Sequence, residues 1–382
     1  MHSLNYLSTN VFEEAISRIN FLFDTHDDII VSMSGGKDST VTFELALRVA
    51  RERERLPLKV YWLDQEAEWL ATGDYMREVM YRPEVAPFWF QCPFRLTNSL
   101  SFKDNYLNCW APDERDKWLR EADPISIKVN PTKYDRFHDL VAQLPSHCDC
   151  AQARQVAVLV GMRIEESLAR RMLIVYSDSK LEGITWCRKK PIRNTRVFWP
   201  IYDFKDTDVW TAIARNGWSY NRIYDFMYQC GVTRMRVSAL IHETSWHAIR
   251  QLHEFEPQLY DRYLARVNGV NCFDHFDDEI MPRTLPPYFK DWCEYRDYLL
   301  EHLIEPEHHA LFKARWKKQD TTEWYKIHVH EIMVNDIDGT INDNGRIRIK
   351  KDARVKSGYY RDRAQARYQK AFLEHLSTDE SL

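Results

Sequence analysis

No apolar run in this 382-residue chain is long enough to cross a bilayer. The N-terminus, Met1-His2-Ser3-Leu4-Asn5, lacks the basic region and apolar core of a secretory leader. Neither a membrane partner nor secretion is expected. The eight cysteines are scattered and do not form the dense framework of a secreted disulfide protein, so a reducing cytoplasm is the expected setting. A net charge of −4 is too small to give a whole-molecule field for nucleic acid. Internal repeats and low-complexity segments are also missing. Against these absences stands a hydrophobic content of 44% with 29% charged residues, which suits a large core in a soluble globular protein. The length favours two domains.

The most informative stretch is Ile29-Ile30-Val31-Ser32-Met33-Ser34-Gly35-Gly36-Lys37-Asp38-Ser39-Thr40. A β-branched apolar run ends in a glycine turn, and Val41, Leu45 and Val49 then recur on one helical face. Two glycines let the backbone turn sharply and approach a ligand. The free amides and positive dipole end of the following helix favour an anion, usually phosphate. Lys37 adds a positive charge, and Ser34, Ser39 and Thr40 add hydroxyls. Asp38 is out of place in a simple anion hole unless a metal ion or a helix start uses it. The Walker spacing is absent. A glycine turn capping an ordinary helix is the alternative, but strand, turn, lysine and helix fall in the order that phosphate binding requires.

Helical spacing of Val11, Ala15, Ile16, Ile19 and Phe23 predicts a helix over about residues 10–23. Strands are expected at residues 58–63, 88–91, 156–161 and 196–201, alternating with helices, which implies a parallel sheet. Ligands of such sheets bind beyond the carboxyl ends of the strands, where Ser34 and Asp64 would both sit. Residues 93–150 are open between short helices and a long active-site loop. Asp206 or Thr207 is a candidate helix cap. After Gly231 the chain becomes helical, aromatic and charged, with an acidic turn at 271–278 and a linker-like group of Pro282, Pro286 and Pro287. It ends in a basic region containing Arg346, Arg348, Lys350, Lys351, Arg354, Lys356, Arg361, Arg363, Arg367 and Lys370. Domains are therefore expected at 1–240, nucleotide-binding, and 241–382, mainly helical with a basic tail.

The sequence SGGKDS resembles the PP-loop of the ATP pyrophosphatase superfamily, which includes 3′-phosphoadenylylsulfate (PAPS) reductases and many thiolation enzymes. Gly161-Met162-Arg163-Ile164-Glu165-Glu166-Ser167-Leu168-Ala169-Arg170 is similar to the Gly-x-Arg-x-x-Glu-Ser-x-x-Arg element of the PAPS reductase family. Pro200-Ile201-Tyr202-Asp203, Asp208-Val209-Trp210 and Tyr220-Asn221-Arg222-Ile223-Tyr224-Asp225 resemble that family's later motifs, as structural packing under the site. Over roughly residues 10–245 the resemblance implies the adenine-nucleotide α-hydrolase (HUP-type) fold: α/β, a five-stranded parallel sheet flanked by helices.

By position, the resemblance places Ser34, Gly35, Gly36, Lys37, Asp38 and Ser39 on the terminal phosphates or sulfate of ATP or PAPS. Asp64 would lie beside the nucleoside. Arg163 would fork onto a phosphate or sulfate, Glu166 would hold that guanidinium, and Ser167 and Arg170 would extend the anion site. Lys37, Asp38 and Arg163 are the catalytic candidates, and Mg²⁺ is expected with ATP, with Asp38 as ligand or water partner. The alternative for the 161–170 element is a surface helix with a Glu166–Arg170 pair at i,i+4.

Departures narrow the chemistry. The C-terminal Glu-Cys-Gly-Ile/Leu-His segment whose cysteine attacks sulfur in PAPS reductases is absent, and Gln229-Cys230-Gly231-Val232 is a partial echo. His147-Cys148-Asp149-Cys150 occupies the place of a Cys-Cys pair in iron–sulfur adenylylsulfate reductases. Cys148 and Cys150 are candidate ligands for zinc or an iron–sulfur cluster. The alternatives are a sulfur-transfer thiol or two partly buried thiols, the last being preferred. The 220–236 segment and long tail resemble the subgroup named immunoglobulin-binding regulator A, of bacteria and phages, commonly paired with a ParB-like protein.

Three functions follow: ATP cleavage to AMP and pyrophosphate, activating a substrate for sulfur transfer or nucleic-acid modification; PAPS reductase or sulfotransferase-like chemistry; or a non-catalytic nucleotide sensor whose basic tail binds a partner or nucleic acid.

Overall fold

The computed structural model describes residues 8–333 apart from 99, 101–105, 151, 176–183, 189–191, 233–234, 236, 238–239, 242–246, 271–284, 305 and 318. The expected acidic turn at 271–278, Pro282 and the basic tail at 346–370 lie outside the described residues. Two compact units are present: Met1–Arg95 with Asn108–Ala239, and Leu96–Leu107 with Leu240–Leu382. The Leu96–Leu107 stretch falls with the second unit.

The first unit opens with α1 (Val11–Thr25), whose Asn10 Oδ1 accepts the amides of Phe12 and Glu13 at 3.0 Å. Its inward stripe, Ala15, Ile19, Leu22 and Phe23, is buried. Then come β1 (Asp28–Ser32), α2 (Lys37–Glu52), β2 (Leu58–Leu63), α3 (Leu70–Met80) and β3 (Val85–Phe90). β4 (Phe94–Thr97) and β5 (Tyr106–Cys109), whose inner ends belong to the Leu96–Leu107 excursion, pair in a separate two-stranded sheet, and α4 (Phe137–Gln143) comes further on. The unit closes with β6 (Val156–Val160), α5 (Leu168–Val175), β7 (Thr195–Phe198), α6 (Asp206–Asn216) and α7 (Ile223–Gln229).

Five strands form one parallel sheet in the order β3-β2-β1-β6-β7. Central β1 is buried at Ile29, Ile30 and Val31, as a strand covered by helices on both faces must be. The expected third strand starts earlier than Phe88: β3 includes Pro87, paired with Val60, because an edge strand tolerates a residue without an N–H. The expected fifth strand stops at Phe198, two residues before Pro200. From β1 the chain winds outward through β2 and β3, then returns to the other side of β1 as β6. The order therefore reverses between β1 and β6, and this crevice is where such sheets bind ligands.

The second unit contains α8 (His247–Phe255), α9 (Pro257–Arg266), α10 (Trp292–Leu303), α11 (Pro306–Trp316) and α12 (Thr322–Met333). Proline opens α9 and α11, where its missing N–H costs nothing. Asp291 caps α10 by accepting the Glu294 amide at 2.9 Å, and Glu294 accepts the Lys290 amide in return at 2.6 Å. Leu299, Leu300, Phe312, Trp316, Val329 and Ile332 build its core. No helix among the described residues is long and apolar enough to cross a membrane.

Candidate functional site

The loop between β1 and α2 is fixed by close packing. Gly35 has φ +69°, and a Cβ there would stand 2.6 Å from Thr72 Cγ2. Only glycine meets both conditions without strain. Asn221, fully buried, donates its amide to the Gly35 carbonyl at 3.1 Å and to Thr72 Oγ1 at 2.8 Å. Ser39 and Thr40 turn their hydroxyls back to the Gly36 carbonyl, at 2.8 and 3.0 Å. Ser34 and Ser39 hydroxyls lie 3.2 Å apart. The Tyr224 hydroxyl accepts the Lys37 amide at 3.1 Å, and the Lys37 Nζ lies 5.4 Å from the centre of the same ring. Burial pushes that phenol well above its ordinary range, so it is neutral and able to accept. The remaining first-turn amides of α2 lie at a helix N-terminus, where no intrahelical acceptor exists and an anion is favoured.

Beside this loop the end of β6 supplies Gly161 and Arg163. Arg163 is 3% exposed and its guanidinium is surrounded by carboxylates. Its Nε donates to Asp38 at 2.6 Å, its Nη1 to Glu165 at 3.1 Å and its Nη2 to Asp206 at 3.1 Å. Asp206 also lies 3.2 Å from Lys37 Nζ, and its own amide donates to Glu165 at 2.7 Å. Loop, β6 edge and α6 N-terminus are thus tied by one charged network. Glu165 bonds the Arg163 guanidinium directly, whereas Glu166 pairs with Arg170 at i,i+4, accepts the Arg163 amide and acts on the guanidinium through its charge; burial raises the Glu166 carboxyl. Asp206 and Thr207 do not cap α6. Lys205 is the N-cap and donates its amide to Asp208 at 2.8 Å, while the Asp206 carboxylate turns toward the two cations. Ser167 accepts the Arg170 amide at 3.2 Å, so its hydroxyl serves the start of α5.

Asp64 also has a different place from the one expected. It follows β2 but is fully buried, and its carboxylate accepts Trp89 Nε1 at 3.0 Å, Gln91 Nε2 at 2.9 Å, the Glu66 amide at 3.0 Å and both Nη groups of Arg120. Its carbonyl accepts Trp110 Nε1 at 2.8 Å and its amide donates to Phe90. With these groups engaged inside the protein, Asp64 anchors the 110–120 segment and does not present its carboxylate to a nucleoside. Glu66 and Glu68 are buried beside it. Burial, then the like charge of Asp64, pushes the Glu68 carboxyl up to about 8 against the pull of Arg120.

Cys148 and Cys150 lie elsewhere, beside Lys59 and Asp28 at the amino ends of β2 and β1. Lys59 bonds both Asp28 and the Asp149 carbonyl. Each thiol donates to a carbonyl of the preceding turn, Cys148 to Leu144 at 3.4 Å and Cys150 to Pro145 at 3.2 Å. Burial pushes both thiols up. Among the described residues no group of three or more His, Cys, Asp or Glu is arranged to hold a metal ion. The residues present do not fit a zinc or iron–sulfur centre at this pair, and the loop lies at the opposite edge of the sheet. Cys230 is exposed at the C-terminus of α7.

A glycine loop and two buried cations, Lys37 and Arg163, lie at the switch point of a parallel sheet in an α/β domain. Residues 28–230, more than half of the chain, match the phosphoadenosine phosphosulfate reductase domain, and the chain belongs to that family. It is 28% identical over 321 residues to the uncharacterized protein YbdN of Escherichia coli (strain K12), covering 78% of this chain and 77% of that one. It is 26% identical over 270 residues to "Uncharacterized protein MJ0973" of Methanocaldococcus jannaschii, covering 69% of this chain and 54% of that protein, so it spans little more than half the length of the archaeal relative. Among solved structures, the PAPS reductase of Candida auris in a phosphate complex matches at TM-score 0.33 and 14% identity, over 62% of this chain and 97% of that one. The U34-tRNA thiolase NcsA of Methanococcus maripaludis, with its [4Fe-4S] cluster, matches at TM-score 0.31 and 13% identity, over 76% and 88%. Residue roles in this chain rest on its own geometry.

Proposed function

We propose that the chain binds an adenine nucleotide with its terminal phosphates on residues 34–39 and cleaves ATP between the α and β phosphates. An acceptor oxygen attacks the α-phosphorus, the bond to the bridging oxygen breaks, and pyrophosphate leaves with the electron pair. The observation that carries this reading is the Gly35–Gly36 turn, pressed on Thr72 and opening directly onto the N-terminus of α2 with Lys37 at its mouth. Lys37 would stabilise charge that develops on the departing pyrophosphate. Mg²⁺ takes one or two carboxylates together with substrate phosphate oxygens, and Asp38, in the first turn of α2, would offer it Oδ2 while Arg163 holds Oδ1. When bound it would neutralise phosphate charge.

A second reading, reductive or transfer chemistry on the sulfuryl group of PAPS, is favoured by the family match. The missing Glu-Cys-Gly-Ile/Leu-His segment weighs against it. As in the immunoglobulin-binding regulator A subgroup that the 220–236 segment resembles, a ParB-like partner is part of this proposal, with nucleic acid on the basic tail.

Purified protein should be incubated with ATP or PAPS, with and without a ParB-like partner and DNA. AMP and pyrophosphate, lost in Lys37→Ala, would support the first reading. Sulfite and 3′,5′-ADP would replace it with the second. Nucleotide binding without turnover in every condition would leave a sensor.

A further inference from the structure

One oxygen of Asp206, Oδ1, is 3.2 Å from Lys37 Nζ and 3.1 Å from Arg163 Nη2, so a single carboxylate oxygen bridges these two cations. The three carboxylates of this network are not equally held. Asp38 is 16% exposed and meets Arg163, itself only 4% exposed at the side chain, at 2.6 Å. That pair is buried, and separating it would strand a charge. The Asp206 side chain is 50% exposed, and ion pairs of that kind are weak because water replaces the partner. The charges also do not balance. Lys37 and Arg163 face Asp38, Glu165 and Asp206, and Glu166, itself paired with Arg170, also acts on Arg163, so a further anion enters against a carboxylate excess.

We propose that Asp206 is an internal competitor for the phosphate of the substrate, a positioning residue that holds Lys37 and Arg163 in register and is displaced into solvent when the anion binds. This rests on the phosphate-site reading of residues 34–39 and deepens it by naming a residue that sets anion affinity. Asp206 reaches the loop from α6, far away in sequence, so α6 senses occupancy of the site. The Asp38–Arg163 pair stays in place, and Glu165 keeps hold of both Arg163 Nη1 and the Asp206 amide during the exchange. Only the side chain of Asp206 has to swing.

The test is equilibrium binding of pyrophosphate to the full 382-residue chain, in chelator so that no divalent cation contributes. Asp206→Asn and Asp206→Ser should each bind pyrophosphate about fivefold or more tightly than wild type, whereas Asp206→Glu should stay within about twofold, the charge being kept. Two neutral variants guard against one that fails to fold, and a cooperative melt checks each. Unchanged or weaker binding in a folded neutral variant overturns the proposal, since a merely structural Asp206 would give that result. Wild type that binds no pyrophosphate, ATP or PAPS sinks the phosphate-site reading itself. Wild-type binding that Lys37→Ala removes upholds that reading whichever way Asp206 falls.

Discussion

Gly161 meets the first turn of α2 so closely that a Cβ on it would lie 2.6 Å from the carbonyl carbon and oxygen of Asp38 and from the amide nitrogen of Ser39. The obstruction is backbone, which cannot rotate aside. Gly161→Ala should therefore push β6 and the loop apart, destabilising the fold by about 1–3 kcal/mol and weakening nucleotide binding. Urea unfolding and ATP titration of the variant check both; wild-type values for both would show that the strands part freely.

Arg120 pairs with Asp64 and lies 3.9 Å from Glu68, and its guanidinium also lies over the Trp62 and Trp110 rings at 5.6 and 5.4 Å. Arg120→Ala should cost about 3–5 kcal/mol, because it leaves buried carboxylates without their partner. Adding Asp64→Asn should recover part of the loss, so a double-mutant cycle in denaturant should give a coupling energy clearly different from zero.

Glu68 gives stability a pH slope of unusual sign. Its carboxyl is raised from 4.5 to about 8 in the folded chain, mainly by burial. Between those values the native state keeps a proton that the unfolded chain has released, so this group's contribution is fully present below about 4.5, falls as pH rises and levels off above about 8. Glu68→Gln should flatten that part of the stability profile, measured by denaturant midpoints from pH 5 to 8. An unchanged slope would assign it to other groups.

The thiols should divide by burial. Cys230 is exposed, whereas Cys92, Cys148 and Cys150 are buried, and burial pushes the Cys92 thiol up to about 12. With an aromatic disulfide reagent Cys230 should react in the native protein, and the buried three only on unfolding. Peptide mapping of the modified protein identifies the sites; early labelling of Cys148 would mean that its turn opens readily.

The parallel sheet was legible because β-branched runs alternate with helical spacing, and the loop because its glycines, lysine and helix are contiguous. The Asp206 and Glu165 contacts were not, since charge partners across α6 and β6 leave no local spacing. Asn221 and Tyr224 stood in a motif read as packing, and their direct bonds to the loop depend on a turn far along the chain. Asp64 was misplaced for a related reason. A carboxylate after a strand has the same appearance in sequence whether it faces the crevice or Arg120, Trp89 and Gln91. Edge position, which sequence does not disclose, decided how much of 85–90 became strand.

The excursion at Leu96–Leu107 has a practical consequence for dissecting the chain. Asn98 donates to the Asn268 carbonyl at 3.1 Å, and Leu96, Leu100 and Leu107 are buried. The second unit is discontinuous, so cutting after Ala239 would not release an intact first unit. It would keep the Leu96–Leu107 stretch, with its buried leucines, apart from the rest of its unit, and the aggregation of such a fragment would be mistaken for instability of the first unit. A clean excision must join the chain across residues 95 and 108 as well.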